Sequence, residues 1–65
     1  MISYAKLWKR LIDENLTRTE FAEKIDISSA TLAKMGKGEP VHLKYIERIC
    51  SELQCGIEDV IEYRP

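Results

Sequence analysis

Residues 17–38 constrain the fold more than any other segment, because they predict two short helices in close succession. Thr17 and Glu20 have the spacing of a capping box, in which each side chain binds the other residue's backbone amide at a helix start. Ser28 is a good N-cap for a helix over about 29–36, since its hydroxyl can accept an amide of the first turn. Both helices therefore carry their own start signals.

A tight turn separates these two helices. The first covers about residues 18–25, and Asp26 and Ile27 form the turn, because Asp adopts a left-handed backbone at modest cost. Two glycines and a proline within residues 36–40 stop the second helix.

Apolar residues recur every three or four positions in the flanking segments, which predicts three further helices. These helices cover about residues 4–14, 43–54 and 57–62, with His42 at the N-cap of the second of them. The residues expected to be buried are Tyr4, Leu7, Trp8, Leu11, Ile12, Leu43, Ile46, Ile49, Cys50, Leu53, Ile57, Val60 and Ile61. The pattern predicts an all-α, five-helix single domain over residues 1–65.

The composition suits a small folded domain, with 65 residues of which 45% are hydrophobic and 32% charged. No apolar run exceeds two residues, so no membrane-spanning helix is expected. The N-terminus has no basic segment followed by an apolar core, so we expect no secretory signal and a cytoplasmic location.

The formal net charge is −1, but the charges are unevenly distributed. Residues 27–38 carry Lys34 and Lys37 without any acidic residue, while acidic residues concentrate in 13–26 and 58–62. The segment 27–38 is therefore locally positive, and local distribution decides which partners a surface attracts.

Neither a metal site nor a catalytic site is predicted. The chain has two cysteines and one histidine, fewer than the four ligands of a structural zinc site, and Cys50 is expected to be a buried free thiol. No nucleophile–base pair, phosphate-binding glycine loop or acid pair is apparent, so we expect neither an enzyme nor a cofactor.

Two runs, Leu-Thr-Arg-Thr-Glu-Phe-Ala-Glu-Lys at 16–24 and Ile-Ser-Ser-Ala-Thr-Leu-Ala-Lys-Met at 27–35, resemble the Cro/C1-type, or XRE-like, helix-turn-helix family. The resemblance extends nearly end to end, although Asp26 replaces the glycine usual in the turn. It implies a lambda-repressor-like DNA-binding domain that acts as a transcriptional regulator, more specifically a repressor. In this family the second helix of the motif enters the major groove of double-stranded DNA.

The resemblance also implies roles for individual residues. The positions expected to contact bases are Ser29, Ala30, Ala33 and Lys34, and those expected to contact phosphates are Thr17, Arg18, Ser28, Thr31 and Lys37. The alternative for the first set is an ordinary solvated helix face made of small residues. Thr17 and Ser28 are helix caps in either case.

One recognition helix reads only a few base pairs, so useful specificity predicts a homodimer on half-sites ~34 Å apart. The candidate dimer residues are Tyr45, Ile61 and Tyr63, on the fourth helix and the C-terminal end.

A rival interpretation is a helix-turn-helix scaffold that binds a protein partner, antitoxin-like, and has little affinity for DNA. The slightly acidic balance favours it, and it predicts that Lys34 and Lys37 are dispensable.

Overall fold

The computed structural model describes all residues from Met1 to Pro65 and contains four α-helices, one 3-10 turn and a two-stranded sheet. In chain order the elements are β1 (Ile2–Ser3), α1 (Ala5–Asp13), α2 (Arg18–Lys24), α3 (Ser29–Gly36), α4 (Leu43–Leu53), the 3-10 turn (Ile57–Asp59) and β2 (Glu62–Tyr63). The two strands are antiparallel, with Ile2 opposite Tyr63 and Ser3 opposite Glu62. None of the helices has the length and apolar character needed to cross a lipid bilayer.

The prediction of a fifth helix over about 57–62 is wrong, and with it the purely helical fold class. The segment forms a single 3-10 turn and then enters β2, whose partner strand is at the other end of the chain. The pairing continues beyond the strands, since the Arg64 amide donates to the Met1 carbonyl at 2.8 Å. A six-residue helix is barely stable alone, so hydrogen bonds to β1 decide the conformation.

The predicted helix starts are confirmed at three places. The Thr17 hydroxyl accepts the Glu20 amide at 3.1 Å while the Glu20 carboxylate accepts the Thr17 amide at 3.0 Å, which completes the capping box. Ser28 caps α3, and the Nδ1 atom of His42 accepts the Lys44 amide at 3.0 Å at the start of α4. Asp26 has the left-handed backbone expected of the turn, with φ of 59°.

The core consists of one face from each helix together with Val60. Its buried members are Tyr4, Leu7, Leu11, Phe21, Ala22, Ile25, Ile27, Met35, Ile46, Ile49, Leu53 and Val60. Trp8, Leu32, Cys50 and Ile61 are half-buried against this cluster.

Three residues predicted to be buried are exposed instead. The exposed fractions are 73% for Ile12, 67% for Leu43 and 47% for Ile57. Leu43 is the first residue of α4 and Ile12 is next to the last of α1, so both lie at the ends of their helices. Ile57 loses its expected position because the helix that would have turned it inward does not form.

Candidate nucleic-acid interface

The outer face of α3 carries all four residues predicted to contact bases. Ser29, Ala30, Ala33 and Lys34 are exposed, whereas Met35 is buried on the opposite side of the helix. The side chains on this face are short apart from Lys34, so another molecule can approach the helix backbone closely. No acidic residue lies within α3.

The end of α3 is closed by a left-handed glycine. Gly38 has φ of 73°, its amide donates to the Met35 carbonyl at 3.1 Å, and the Glu39 amide donates to the Lys34 carbonyl at 3.0 Å. These bonds form a Schellman cap, which satisfies the last carbonyls of the helix. The Tyr4 hydroxyl donates to the Glu39 carbonyl at 2.7 Å and thereby joins the cap to the core.

Lys34 and Lys37 are the cations at this end of α3. Both are exposed, and neither takes part in any of the three salt bridges of the protein. The first lies on the outer face of α3 and the second directly follows the helix. The positive charge that the sequence placed here is therefore not neutralised within the molecule.

The start of α2 presents a mixed electrostatic surface. The Glu20 carboxylate accepts the backbone amide and also interacts with the hydroxyl of Thr17, and these hydrogen bonds lower the pKa of Glu20. The carboxylate therefore stays ionised and occupies an amide that a phosphate would otherwise use. The Thr17 hydroxyl accepts the Glu20 amide and gives its own hydrogen to the Glu20 carboxylate, so the capping box uses this hydroxyl in both directions.

At the start of α3, the hydroxyl groups of Ser28 and Thr31 have different hydrogen-bonding roles. The Ser28 hydroxyl accepts the Thr31 amide at 3.2 Å and donates to the Thr31 Oγ1 at 3.1 Å. Ser28 is thus committed to the cap, and the free hydroxyl hydrogen of the pair belongs to Thr31. Of these two predicted phosphate ligands, Thr31 is the better placed to donate.

Arg18 lies on an aromatic platform that the sequence interpretation had assigned to the core. Its guanidinium carbon is 4.0 Å from the ring centroid of Trp8, the distance of a cation–π contact. The guanidinium also reaches the end of α3, where its Nη1 would lie 3.8 Å from a Cβ added at Gly36. Trp8 thus holds Arg18 beside the end of α3. The sequence pattern indicated only that Trp8 lies on the apolar stripe of α1.

A second basic and aromatic cluster, also missed from the sequence, lies at the start of α4. Tyr45 has the Lys44 ammonium 5.1 Å and the Arg48 guanidinium 5.5 Å from its ring centroid. Tyr45 also lines a shallow groove with Thr31 and Lys34. In the sequence, the spacing of these residues within one predicted helix is the pattern from which this cluster could have been predicted.

The three predicted dimer residues belong to different surface features. Tyr45 lies beside α3, Ile61 is half-buried against the core, and Tyr63 is 72% exposed on β2. Tyr63 and the equally exposed Met1 lie on paired ends of the chain. The predicted helix that was to carry Ile61 is absent and Tyr63 belongs to β2, so any contact there would involve the sheet.

The remaining basic residues near the N-terminus mainly serve the fold. The Lys6 ammonium donates to the Glu58 carbonyl at 3.1 Å, and the Arg10 guanidinium donates to the Leu53 carbonyl at 3.0 Å. Arg10 also pairs with Glu14. No group of three or more His, Cys, Asp or Glu side chains is arranged to hold a metal ion.

Comparison with known proteins bears on this geometry. The family model for the Cro/C1-type HTH DNA-binding domain matches residues 6–65. YozG of Bacillus subtilis (strain 168), described as an uncharacterized HTH-type transcriptional regulator, is 36% identical over 56 residues, which cover 83% of this chain and 67% of YozG. The crystal structure of the transcriptional regulator VanUg, form II, superimposes with a TM-score of 0.94 at 44% identity, covering 98% of this chain and 85% of that one.

The family model spans the segment that contains both capped helices and the left-handed turn between them. The sequence resemblance is therefore confirmed, and this chain belongs to the Cro/C1-type helix-turn-helix family of DNA-binding transcriptional regulators.

Proposed function

We propose that this protein is a sequence-specific repressor that inserts α3 into the major groove of its operator. One observation carries the proposal: the exposed face of α3 combines small side chains with an unpaired lysine and contains no acid. The B-DNA major groove accommodates a helix whose facing side chains are short. A protein that occupies a promoter in this way blocks other proteins from it.

Base recognition is assigned to four residues on that face. Lys34 donates to the O6 or N7 acceptors of guanine, and Ser29 bonds to either an acceptor or a donor. Ala30 and Ala33 contact thymine methyl groups and allow the helix backbone to come close. Only Lys34 among these supplies a charge, so it contributes both to affinity and to sequence preference.

Phosphate binding is assigned to residues that flank this face. Arg18, stacked on Trp8, and Lys37, directly after α3, supply the charges. The Thr31 hydroxyl supplies a neutral donor, Ser28 contributes by holding Thr31 in place, and Thr17 contributes by capping the start of α2 beside Arg18. Such contacts fix the position of the protein on the duplex and carry no sequence information themselves.

The test is fluorescence anisotropy with duplex DNA across ~50–200 mM salt, where each phosphate contact adds to the steepness of the salt dependence. After selection of an operator from a random pool, Lys34→Ala should weaken preference for that operator over random DNA. Arg18→Ala and Lys37→Ala should weaken both equally and each reduce the salt slope by about one. Lys9→Ala, an exposed cation of α1 outside this surface, is the matched control.

A homodimer is part of the proposal, because one recognition helix reads too few base pairs for useful specificity. We place its contact at the sheet, where Tyr63 and Met1 leave apolar surface exposed at one end of the molecule. Sedimentation velocity with and without operator tests this. A complex containing one protein per operator would contradict it, and Tyr63→Lys should abolish the dimer while leaving the fold intact.

The second candidate is a module that binds a protein partner, and the net charge of −1 is the observation in its favour. It predicts that Lys34→Ala and Lys37→Ala leave function unchanged. DNA binding that is absent even at low salt, in a folded protein, would favour this candidate over the repressor.

A further inference from the structure

The two cysteines of the chain meet at the C-terminal cap of α4. Gln54 has a left-handed backbone with φ of 54°, and the Cys55 amide donates to the Cys50 carbonyl at 3.2 Å. This is the long-range bond of a Schellman cap, which characteristically brings together the side chains of the two residues that it joins. In most proteins that contact is between two apolar side chains, and here it is between two thiols.

The side chains are both close to each other and reachable from solvent. Burial raises the pKa of the Cys50 thiol, and the neighbouring Cys55 adds to this effect. Both thiols are free and half-buried, and both line an open surface depression with Glu47, Ser51, Gln54 and Gly56. A thiol-reactive molecule can therefore approach them without unfolding of the core.

We propose that Cys50 and Cys55 form a reversible modification site that closes to an intramolecular disulfide in the presence of low-molecular-weight disulfides. Backbone atoms joined by one N–H···O bond place two Cα atoms in the range, roughly 4.4–6.8 Å, that disulfides span. No group of three His, Cys, Asp or Glu side chains is arranged to hold a metal ion at this pair. The proposed chemistry therefore involves the two thiols alone.

The reaction is thiol–disulfide exchange with a small disulfide such as oxidised glutathione. One cysteine thiolate attacks a sulfur of the small disulfide, forms a mixed disulfide and releases one glutathione thiolate. The second cysteine thiolate attacks the protein sulfur of the mixed disulfide, forms the bond between Cys50 and Cys55 and releases the second glutathione thiolate. The protein loses two protons and two electrons, and the small disulfide becomes two thiols.

The cysteine pair lies away from the proposed DNA-binding surface. The groove shared with α3 lies at the start of α4, near Tyr45, whereas the cysteines lie at the other end of that helix. Closure ties the end of α4 to the segment leading to Val60 and β2. We expect it to stiffen that segment and raise thermal stability while operator binding stays unchanged, so failure of the proposed function would not affect this test.

The experiment incubates the reduced, folded protein with excess oxidised glutathione, quenches with an alkylating reagent and measures intact mass. The parent should lose two hydrogen atoms, remain monomeric on a non-reducing gel and melt about 5 °C or more higher, with dithiothreitol reversing all three changes. Cys50→Ser and Cys55→Ser should instead stop at the mixed disulfide, each gaining one glutathione. Circular dichroism confirms that both variants are folded.

Three results would overturn the proposal. The first is a parent protein that accumulates mixed disulfides as the single variants do, because the thiols would then not reach each other. The second is a disulfide between two chains, seen as a doubled mass. The third is complete resistance to oxidised glutathione while the protein is folded, which would mean that the half-buried thiols are not accessible.

Discussion

At the scale of single residues, Arg18 has one role that its position in sequence indicates and another that only its surroundings define. It begins α2, where the family resemblance predicts a phosphate contact, and its guanidinium carbon lies over the Trp8 ring, 4.0 Å from the ring centroid. Stacking leaves the edge of a guanidinium, with its N–H donors, free for other partners. An immobilised arginine loses less side-chain entropy when it binds a phosphate. If Arg18 binds phosphate as proposed, Trp8 adds to DNA affinity without touching DNA.

We expect Trp8 and Arg18 to be energetically coupled by roughly 0.5–1 kcal/mol, the range of exposed cation–π pairs. Trp8→Leu keeps apolar bulk and removes the aromatic face, so Arg18→Ala should then cost less stability than in the parent. Urea unfolding of the four proteins in this double-mutant cycle measures the coupling. Trp8→Tyr retains a ring and is the control, and strict additivity of Trp8→Leu with Arg18→Ala would contradict the platform role.

At the scale of elements, the end of α3 contains two glycines whose backbone conformations differ. Gly38 is left-handed, and a Cβ there would lie 3.0 Å from the Ile2 carbonyl oxygen. Gly36 is helical, and a Cβ there would make an ordinary contact at 3.8 Å with Arg18. One glycine is therefore required by the backbone and the other is not.

Alanine substitutions at these positions should change stability in opposite directions. Gly38→Ala should lower the free energy of unfolding by about 1–2 kcal/mol, because it combines a left-handed alanine with a close backbone contact. Gly36→Ala should raise it by up to ~1 kcal/mol, because alanine has the higher helix propensity. Chemical denaturation of both variants measures their free energies of unfolding. Equal changes in the two variants would mean that the Schellman cap does not stabilise the end of α3.

At the scale of the whole molecule, few residues form the core, so each of them matters. Ile49 and Val60 are fully buried, and Ile2 of the sheet and Ile61 before β2 pack against the same cluster. A domain of this size has a total stability of only about 3–10 kcal/mol. Loss of one large core side chain therefore removes a substantial part of it.

Ile49→Ala and Ile12→Ala form a matched pair, since the helical pattern predicted both residues to be buried. Ile49 is 0% exposed, so its truncation should cost ~2–5 kcal/mol. Ile12 is 73% exposed, so its truncation should stay within about 0.5 kcal/mol of the parent. Thermal melts of the two variants measure the difference, and comparable losses would place Ile12 in an interface or in the core.

The sequence by itself determined the four helices, the capped starts of α2, α3 and α4 and the exposed face of α3. Capping boxes, N-cap hydroxyls and left-handed turn residues act through hydrogen bonds between residues three to five positions apart, so their signals are local and readable. The same holds for the exposed residues Ser29, Ala30, Ala33 and Lys34, because the period of a helix separates them from the buried side.

Only the tertiary structure decided the features that join distant parts of the chain. The strand at Glu62–Tyr63 exists because β1, sixty residues earlier in the chain, offers it hydrogen-bond partners. Arg18 rests on Trp8, and Tyr45 borders Lys34, because separate helices pack together. These contacts depend on which surfaces the fold brings together, and the period of one helix carries no information about the surface of its neighbour.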